Sequence, residues 1–409
     1  MKKTKGKKGG LKYLLASMGP SIILTATYIG SGSVVSASTA GANFGYSLLW
    51  WIAILSAING IFQYNVNKYT VLTGKPVMVG IREKFGPVWS IICGILSLIT
   101  ILVFGIGNFM AAGLAFNIIF PAMSIKVGGI IGTVLSIVLI LLRGVYKKVE
   151  RGMSACILLM VVFFIVTFAI VGGADAGEAA AGMVPQIPNG AFALMLSLLG
   201  TTVSFGPMLY GTTFVVEKGY TKEDVEKKGL LADAVAGPIA YFVIIGIILS
   251  LGATIFAGTP VSSALQIAQG LSGALGGSKI VVIVFGIAFL GAALSSLLGA
   301  QMWGVGMFFQ SIGKEPKMDS WPTKIIITCT LIFCGIIGLT VGGIPTQMLM
   351  IAQWAGIITT PVMGALTIIL LRSKRENGEA RTSIGTTILL AALYALLLVV
   401  VINNVINMI

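Results

Sequence analysis

The chain has 409 residues, of which 56% are hydrophobic and only 10% charged, and it contains no histidine. Soluble domains carry about a quarter charged residues, so this chain cannot cover its own surface in water, and the solvent that suits it is a lipid bilayer. Its net charge of +14 is therefore not a nucleic-acid-binding signal but is to be set against the rule that Lys and Arg stay on the cytoplasmic side of a membrane.

Apolar stretches long enough to cross a hydrocarbon core of about 30 Å fall at 12–42, 46–69, 88–120, 127–144, 152–172, 190–216, 229–256, 278–310, 324–343, 346–371 and 383–406. This predicts an all-α integral membrane protein of eleven transmembrane helices. Residues 1–11 are expected to be a retained, basic cytoplasmic tail, because no short cleavable segment precedes the first span. The first, third, sixth and eighth spans exceed a straight crossing, which predicts tilting or interruption. When the loops alternate sides, 25 of the 27 basic residues collect on the side of the N-terminus, leaving only Lys126 and Lys279 opposite. The asymmetry predicts a cytoplasmic N-terminus and an external C-terminus in a cell membrane. Cys93, Cys156, Cys329 and Cys334 all lie in apolar runs, where thiols act as small hydrophobes rather than as a disulfide framework or a metal cluster.

Two spans carry helix-breaking residues at mid-depth. The first contains Tyr28-Ile29-Gly30-Ser31-Gly32-Ser33, and the sixth contains Ser204-Phe205-Gly206-Pro207-Met208. Glycine is a poor helix residue, serine offers the backbone alternative partners, and proline removes an intrahelical bond. The breaks open two successive sets of five helices, 12–172 and 190–371, with an eleventh helix at 383–409. That placement predicts an inverted-repeat transporter whose substrate site lies between two discontinuous helices.

Several stretches resemble the NRAMP (natural resistance-associated macrophage protein) metal transporters, which share the LeuT-type fold. They are Gly19-Pro20 through Tyr28, Ala40-Gly41-Ala42-Asn43-Phe44-Gly45-Tyr46-Ser47-Leu48-Leu49-Trp50, Asn117-Ile118-Ile119-Phe120, Val149-Glu150-Arg151, Val184-Pro185-Gln186-Ile187-Pro188, and Gln347 with Gln353. The resemblance implies a LeuT-type 5+5 inverted repeat with helices 1 and 6 discontinuous, and secondary active transport, with symport as the family's mode. The family's metal site resembles Asp-Pro-Gly-Asn in the first helix and Met-Pro-His in the sixth. At the matching places this chain has Gly30-Ser31-Gly32-Ser33 and Ser204-Phe205-Gly206, or Phe205-Gly206-Pro207 in the neighbouring register. In the third helix, where the family tends to carry acids, it has Gly105 and Asn108. The family's frame is present without its ligands.

Of the thirteen acids, only Asp233 falls within a span, near one end, where pairing with Lys227 or Lys228 is expected. A bare divalent cation at mid-depth would meet only hydroxyls, carbonyls and amides, and without an anionic ligand its dehydration is hard to offset. Half-helix N-termini, by contrast, attract carboxylates, and Gly-Ser-Gly resembles the first-helix turn of amino-acid permeases. The leading expectation is thus a transporter of a small polar organic solute, amino-acid-like or carboxylate. The alternatives are a divalent cation such as partly hydrated magnesium, and a sensor that does not transport. Expected substrate contacts are Gly30, Ser31, Gly32, Ser33, Ser204, Phe205, Gly206, Pro207, Met208, Gln347 and Gln353, with Asn108, Gln301 and Asp233 on a polar or coupling pathway. No catalytic cluster, resident metal, cofactor or phosphate-binding loop is expected. The expected partners are the substrate and the bilayer, and the oligomeric state is left open.

Overall fold

The computed structural model describes residues 13, 21, 25, 28–142, 146–259, 261, 263–341, 345–373 and 380–408, with backbone alone at 146–157, 345–346 and 404–408. The tail expected at 1–11 and most of the first half of span 1 lie outside these residues. Among the described residues every regular element is a helix. In chain order they are α1 (Ser31–Phe44), α2 (Leu49–Thr73), α3 (Val77–Ile119), α4 (Ile125–Leu141), α5 (Tyr146–Ile170), α6 (Ala176–Ala181), α7 (Phe192–Thr202), α8 (Phe205–Lys218), α9 (Lys222–Glu226), α10 (Gly229–Ile255), α11 (Ala264–Ala274), α12 (Lys279–Ser311), α13 (Trp321–Thr340), α14 (Pro345–Trp354), α15 (Thr360–Arg372) and α16 (Ile384–Met408). Each expected span has a helix in its place, and seven stretches among the described residues are long and apolar enough to cross a membrane. Large apolar side chains stand exposed on the outer faces, among them Val88, Ile130, Leu158, Ile239, Ile336 and Ile388. In a bilayer such faces meet lipid, so their exposure costs nothing.

Interior packing depends on small residues, because no hydrophobic force drives helices together in lipid and close backbone approach must supply the attraction. The first span shows this against the seventh, where Gly41 abuts the Leu249 carbonyl and Gly252 the Ser38 carbonyl. The third and eighth spans, α3 and α12, pack together along much of their length.

Three features differ from the sequence-based expectation. The third helix begins at Val77 rather than 88, and its first turns are set off by Gly86, at φ 83°, followed by Pro87. That positive φ is open to glycine and strained for most other residues. Arg82 Nη1 donates to the Ser311 carbonyl at 2.6 Å and Ser90 Oγ donates to the same oxygen at 2.8 Å, tying this corner to the end of α12. A short helix, α11, stands between the seventh and eighth spans, opened by a reciprocal cap between Ser263 and Gln266. Finally, the tenth span is not continuous: α14 ends at Trp354, a 3-10 turn covers Ala355–Ile357, and α15 starts at Thr360.

Candidate functional site

The two expected breaks are present and alike. Helical backbone holds at Tyr28 and lapses at Ile29 and Gly30, and α1 starts from an extended Gly30 with φ −101°. In the sixth span α7 ends at Thr202, and α8 starts from an extended Ser204, also with φ −101°. Neither N-terminus carries a cap from its own N-cap side chain, so the first turn of α1 keeps the partial positive charge of a helix end, while in α8 a hydroxyl of the tenth span meets the Gly206 amide.

The groups freed by the breaks find partners across the bundle. Ser33 Oγ reaches back to the Tyr28 carbonyl at 2.6 Å, and Asn59 of α2 donates to the Thr202 carbonyl. Ser204 Oγ donates to the Gly356 carbonyl at 3.0 Å, and the Gly206 amide donates to Thr359 Oγ1 at 3.3 Å. The sixth and tenth breaks are therefore bonded to each other. They also touch backbone to backbone, since Gly200 abuts the Gln353 carbonyl and Gly356 abuts the Gly200 carbonyl. Ser36 and Ser197 share a hydroxyl hydrogen bond at 2.6 Å, which joins α1 to α7.

A small cavity lies where these breaks meet. Its walls are Tyr28 and Gly30 from the first span, Thr100 and Phe104 from α3, Gly200, Thr201, Ser204 and Pro207 from the sixth, Ser296, Gly299, Ala300 and Trp303 from α12, and Gln353 with Gly356 from the tenth. It offers about 50 Å³ of water-accessible space, room for about three or four waters at ~10–15 Å³ each. Two hydroxyls in its wall, Tyr28 Oη and Ser296 Oγ, are buried and make no hydrogen bond of normal geometry. Unpaired buried hydroxyls are costly in a dry interior, and both of these belong to residues of the cavity wall.

The expected contacts divide sharply. Gly30, Ser204, Pro207 and Gln353 line the cavity. Ser31 Oγ lies 3.5 Å from Asn108 Oδ1, which brings Asn108 to the edge of the first break. Gly32 faces the Gln353 carboxamide, which fills the place a side chain would take. Gly206 lies under the Trp303 ring, Phe205 packs edge-on against Phe62, and Met208 is fully buried in the apolar core. Gln347 is exposed and stands away from the cavity. Gln301 accepts from Thr330 Oγ1 at 2.6 Å, between α12 and α13 and outside the wall.

Asp233 is fully buried near the start of α10. Ser21 of the first span donates to it through Oγ at 2.8 Å and through its amide at 3.3 Å. The pairing expected with Lys227 is replaced, since Lys227 bonds Glu223. Just outside the bundle, Asp224 accepts from Tyr13 Oη at 2.7 Å. Partial burial works against its charge, but the hydrogen bonds from Tyr13 and Thr221 and the nearby Lys218 outweigh it and hold its carboxyl below the usual range.

Sequence reasoning did not place Tyr28 in the wall, did not single out Ser296 from the other polar residues within the spans, and missed Trp303 and the tenth break. Gly356 and Pro361 gave a signal for that break, weaker than that of the sixth. Among the described residues no group of three or more Cys, Asp or Glu could hold a metal ion.

Among the described residues seven stretches are long and apolar enough to cross a membrane, and broken helices meet at a central cavity, which is the architecture of a multi-pass membrane protein of the LeuT type. Residues 21–407 match the family described as natural resistance-associated macrophage protein-like, and the chain belongs to that family. The divalent metal cation transporter MntH of Lacticaseibacillus casei is 25% identical over 348 residues, covering 80% of this chain and 75% of its own. MntH of Klebsiella pneumoniae is 26% identical over 305 residues, covering 72% of this chain and 71% of its own. Among solved structures, a manganese transporter of Eremococcus coleocola in complex with an aromatic bis-isothiourea compound superposes with a TM-score of 0.76 at 17% identity, over 97% of this chain and 88% of that one. MhsT in complex with L-phenylalanine superposes with a TM-score of 0.60 at 16% identity, over 97% and 98%.

Proposed function

We propose that this protein is a secondary transporter of a hard divalent cation, magnesium-like, that crosses with part of its hydration shell in place. The observation that carries this reading is what the largely apolar cavity wall offers and omits: a few hydroxyls and one carboxamide, with no carboxylate, thioether or imidazole, around space for a few waters. Magnesium dehydrates reluctantly and commonly keeps several waters, so a site that supplies few ligands and leaves room for water suits it. Soft or strongly dehydrated transition metals are held by thioether, imidazole and carboxylate donors, none of which lines this cavity. The relatives' description as divalent metal cation transporters supports the cargo class.

This reverses the order of the two expectations drawn from sequence. An amino acid carries more heavy atoms than the present cavity holds, so it would need a wider state of the site. The observation that favours an organic solute is the pair of half-helix N-termini at Ser31 and Phe205 that lack a cap from their own N-cap side chains, since helix-start amides suit a carboxylate. The basic-residue asymmetry supports a cell-membrane protein with its N-terminus in the cytoplasm and C-terminus outside.

Calorimetry on the purified protein separates the readings. The cation reading expects weak magnesium binding, no tight manganese binding, and no heat with a panel of amino acids. Low-micromolar manganese binding, or saturable binding of an amino acid with none of magnesium, would overturn it.

A further inference from the structure

The second and seventh spans, α2 and α10, leave a groove between them on the outer side of the bundle, with about 460 Å³ of water-accessible space. Small residues create it. Ala53, Ala57 and Gly60 on α2 lie opposite Pro238 and Phe242 on α10 and leave the space that larger side chains would fill. A Cβ on Gly60 would lie 3.3 Å from Pro238 Cγ, so the helices touch there. Val235 and Ile239 line the same groove and are among the apolar side chains that stand exposed to the bilayer.

The groove changes character along its length. On α2 its lining positions 53, 57, 61 and 64 share one helix face, and at helical spacing the next position on that face is the half-buried Lys68. On α10 the lining positions 242, 239, 235 and 231 form a similar stripe, and the next residue toward the helix start is the exposed Lys228. The two helices run antiparallel, since Gly60 faces Pro238 and Ala234 while Gly246 faces Leu49. Two turns further along, the same register brings Lys68 level with Lys228. Tyr64 and Asn65 end the groove just before these lysines. Among the described residues neither lysine is in an ion pair, whereas the adjacent Lys227 is paired with Glu223. From Ala53 to Tyr64 the groove runs about 16 Å at 1.5 Å per residue, which is about half of a 30 Å hydrocarbon core.

We propose that this groove binds an anionic phospholipid, with one acyl chain lying between α2 and α10 and the phosphate held by Lys68 and Lys228. An apolar groove open to the bilayer takes up lipid tails of any kind, so selection falls to the headgroup end. Two ammonium groups side by side at the interface favour a headgroup of net negative charge over a zwitterionic one, as basic pockets between membrane helices do. The leaflet is the one on the side where the basic residues collect. The groove length, matched to one leaflet, lets the phosphate reach the lysines while the chain fills the space beside Ala57 and Gly60.

Native mass spectrometry of the purified full chain tests this. The protein in mild detergent is mixed with equal amounts of phosphatidylglycerol and phosphatidylcholine carrying the same acyl chains, and the lipids that stay bound are counted. The parent chain should retain phosphatidylglycerol at least several-fold over phosphatidylcholine. Lys68→Gln combined with Lys228→Asn should lose that preference; asparagine suits the φ of 62° at Lys228. Lys68→Arg with Lys228→Arg should keep it, and Ala57→Phe, which fills the groove, should lose the bound lipid with both lysines in place. Gel filtration confirms folding, and Ala53→Leu replaces Ala57→Phe if the latter does not fold. Equal retention of the two lipids by the parent, a preference that survives loss of both lysines, or retention indifferent to the groove-filling variant would overturn the proposal. A dimer of this chain that the groove-filling variant breaks would overturn it as well, by giving the groove to a second copy.

Discussion

Adding one methyl group at Gly32 and one at Gly200 should have unequal effects, although both would collide with the same residue. A Cβ on Gly32 would overlap the Gln353 carboxamide, and one on Gly200 would overlap the Gln353 backbone carbonyl. Each falls more than an ångström short of the 3.4 Å at which ordinary contact starts. The carboxamide is the free end of a flexible side chain. It gives way by leaving its 3.2 Å bond to the Leu349 carbonyl, at about 1 kcal/mol for the bond and ~0.5–1.5 kcal/mol for an unfavourable rotamer. At Gly200 the sixth and tenth spans must separate, which strains two hydrogen bonds at that crossing, Ser204 to Gly356 and Gly206 to Thr359. With about 1 kcal/mol for each bond and ~1–3 kcal/mol for overpacking, Gly200→Ala costs about 3–5 kcal/mol against about 2 for Gly32→Ala. Unfolding in detergent, followed for both variants and for Gly32→Ala with Gln353→Ala, reads the ranking. The double variant should recover most of what Gly32→Ala loses, since the two side chains share one space. A Gly200→Ala protein as stable as Gly32→Ala, or a double variant with purely additive loss, would refute the reasoning.

Ser204→Ala removes the side-chain bond from the sixth break to the Gly356 carbonyl, which keeps only the longer bond from Thr359 Oγ1 at 3.4 Å; it should cost about 1 kcal/mol and lower uptake in reconstituted vesicles beyond what the loss of folded protein explains. Gln353→Ala should weaken substrate binding because its side chain lines the cavity, whereas Gln347→Ala, at an exposed position, should leave binding unchanged in parallel titrations. Single cysteines placed at the exposed Ser383 and at Ser278 should react with an impermeant thiol reagent from opposite sides of the membrane, Ser383 from the cytoplasm; external labelling at Ser383 would reverse the topology drawn from the basic residues.

Much of the architecture was legible because a bilayer imposes simple demands. Length and apolarity located the spans, and Gly30, Gly32, Gly206 and Pro207 stood out as breakers in otherwise apolar helices. The tenth break was harder to read because Gly356 and Pro361 differ little from the glycines and prolines that membrane helices commonly contain; the bonds to it from Ser204 Oγ and the Gly206 amide, across more than 150 residues, show its place. Ser296 could not be singled out from the other polar residues within the spans for a related reason. Its neighbour Ser295 back-bonds to Ala292 within its own helix at 3.0 Å, as serines in membrane helices often do, and nothing local separates the two. Gln347 and Gln353 are six residues apart, about 240° around a helix, so sequence could have said that both do not face one site but not which one does. Asp233 was seen, but its partner Ser21 lies 212 positions away in the chain, beyond any local pattern.

The central claim is that the cavity carries a hydrated hard cation without anionic ligands, and uptake into proteoliposomes tests it most directly. Vesicles containing the protein and a magnesium-sensitive dye are given external magnesium, with and without micromolar manganese, and a parallel set receives labelled amino acids. The account predicts saturable magnesium entry that micromolar manganese does not block, with no amino-acid accumulation. Manganese entry saturating in the low micromolar range, or amino-acid accumulation without magnesium entry, would contradict it.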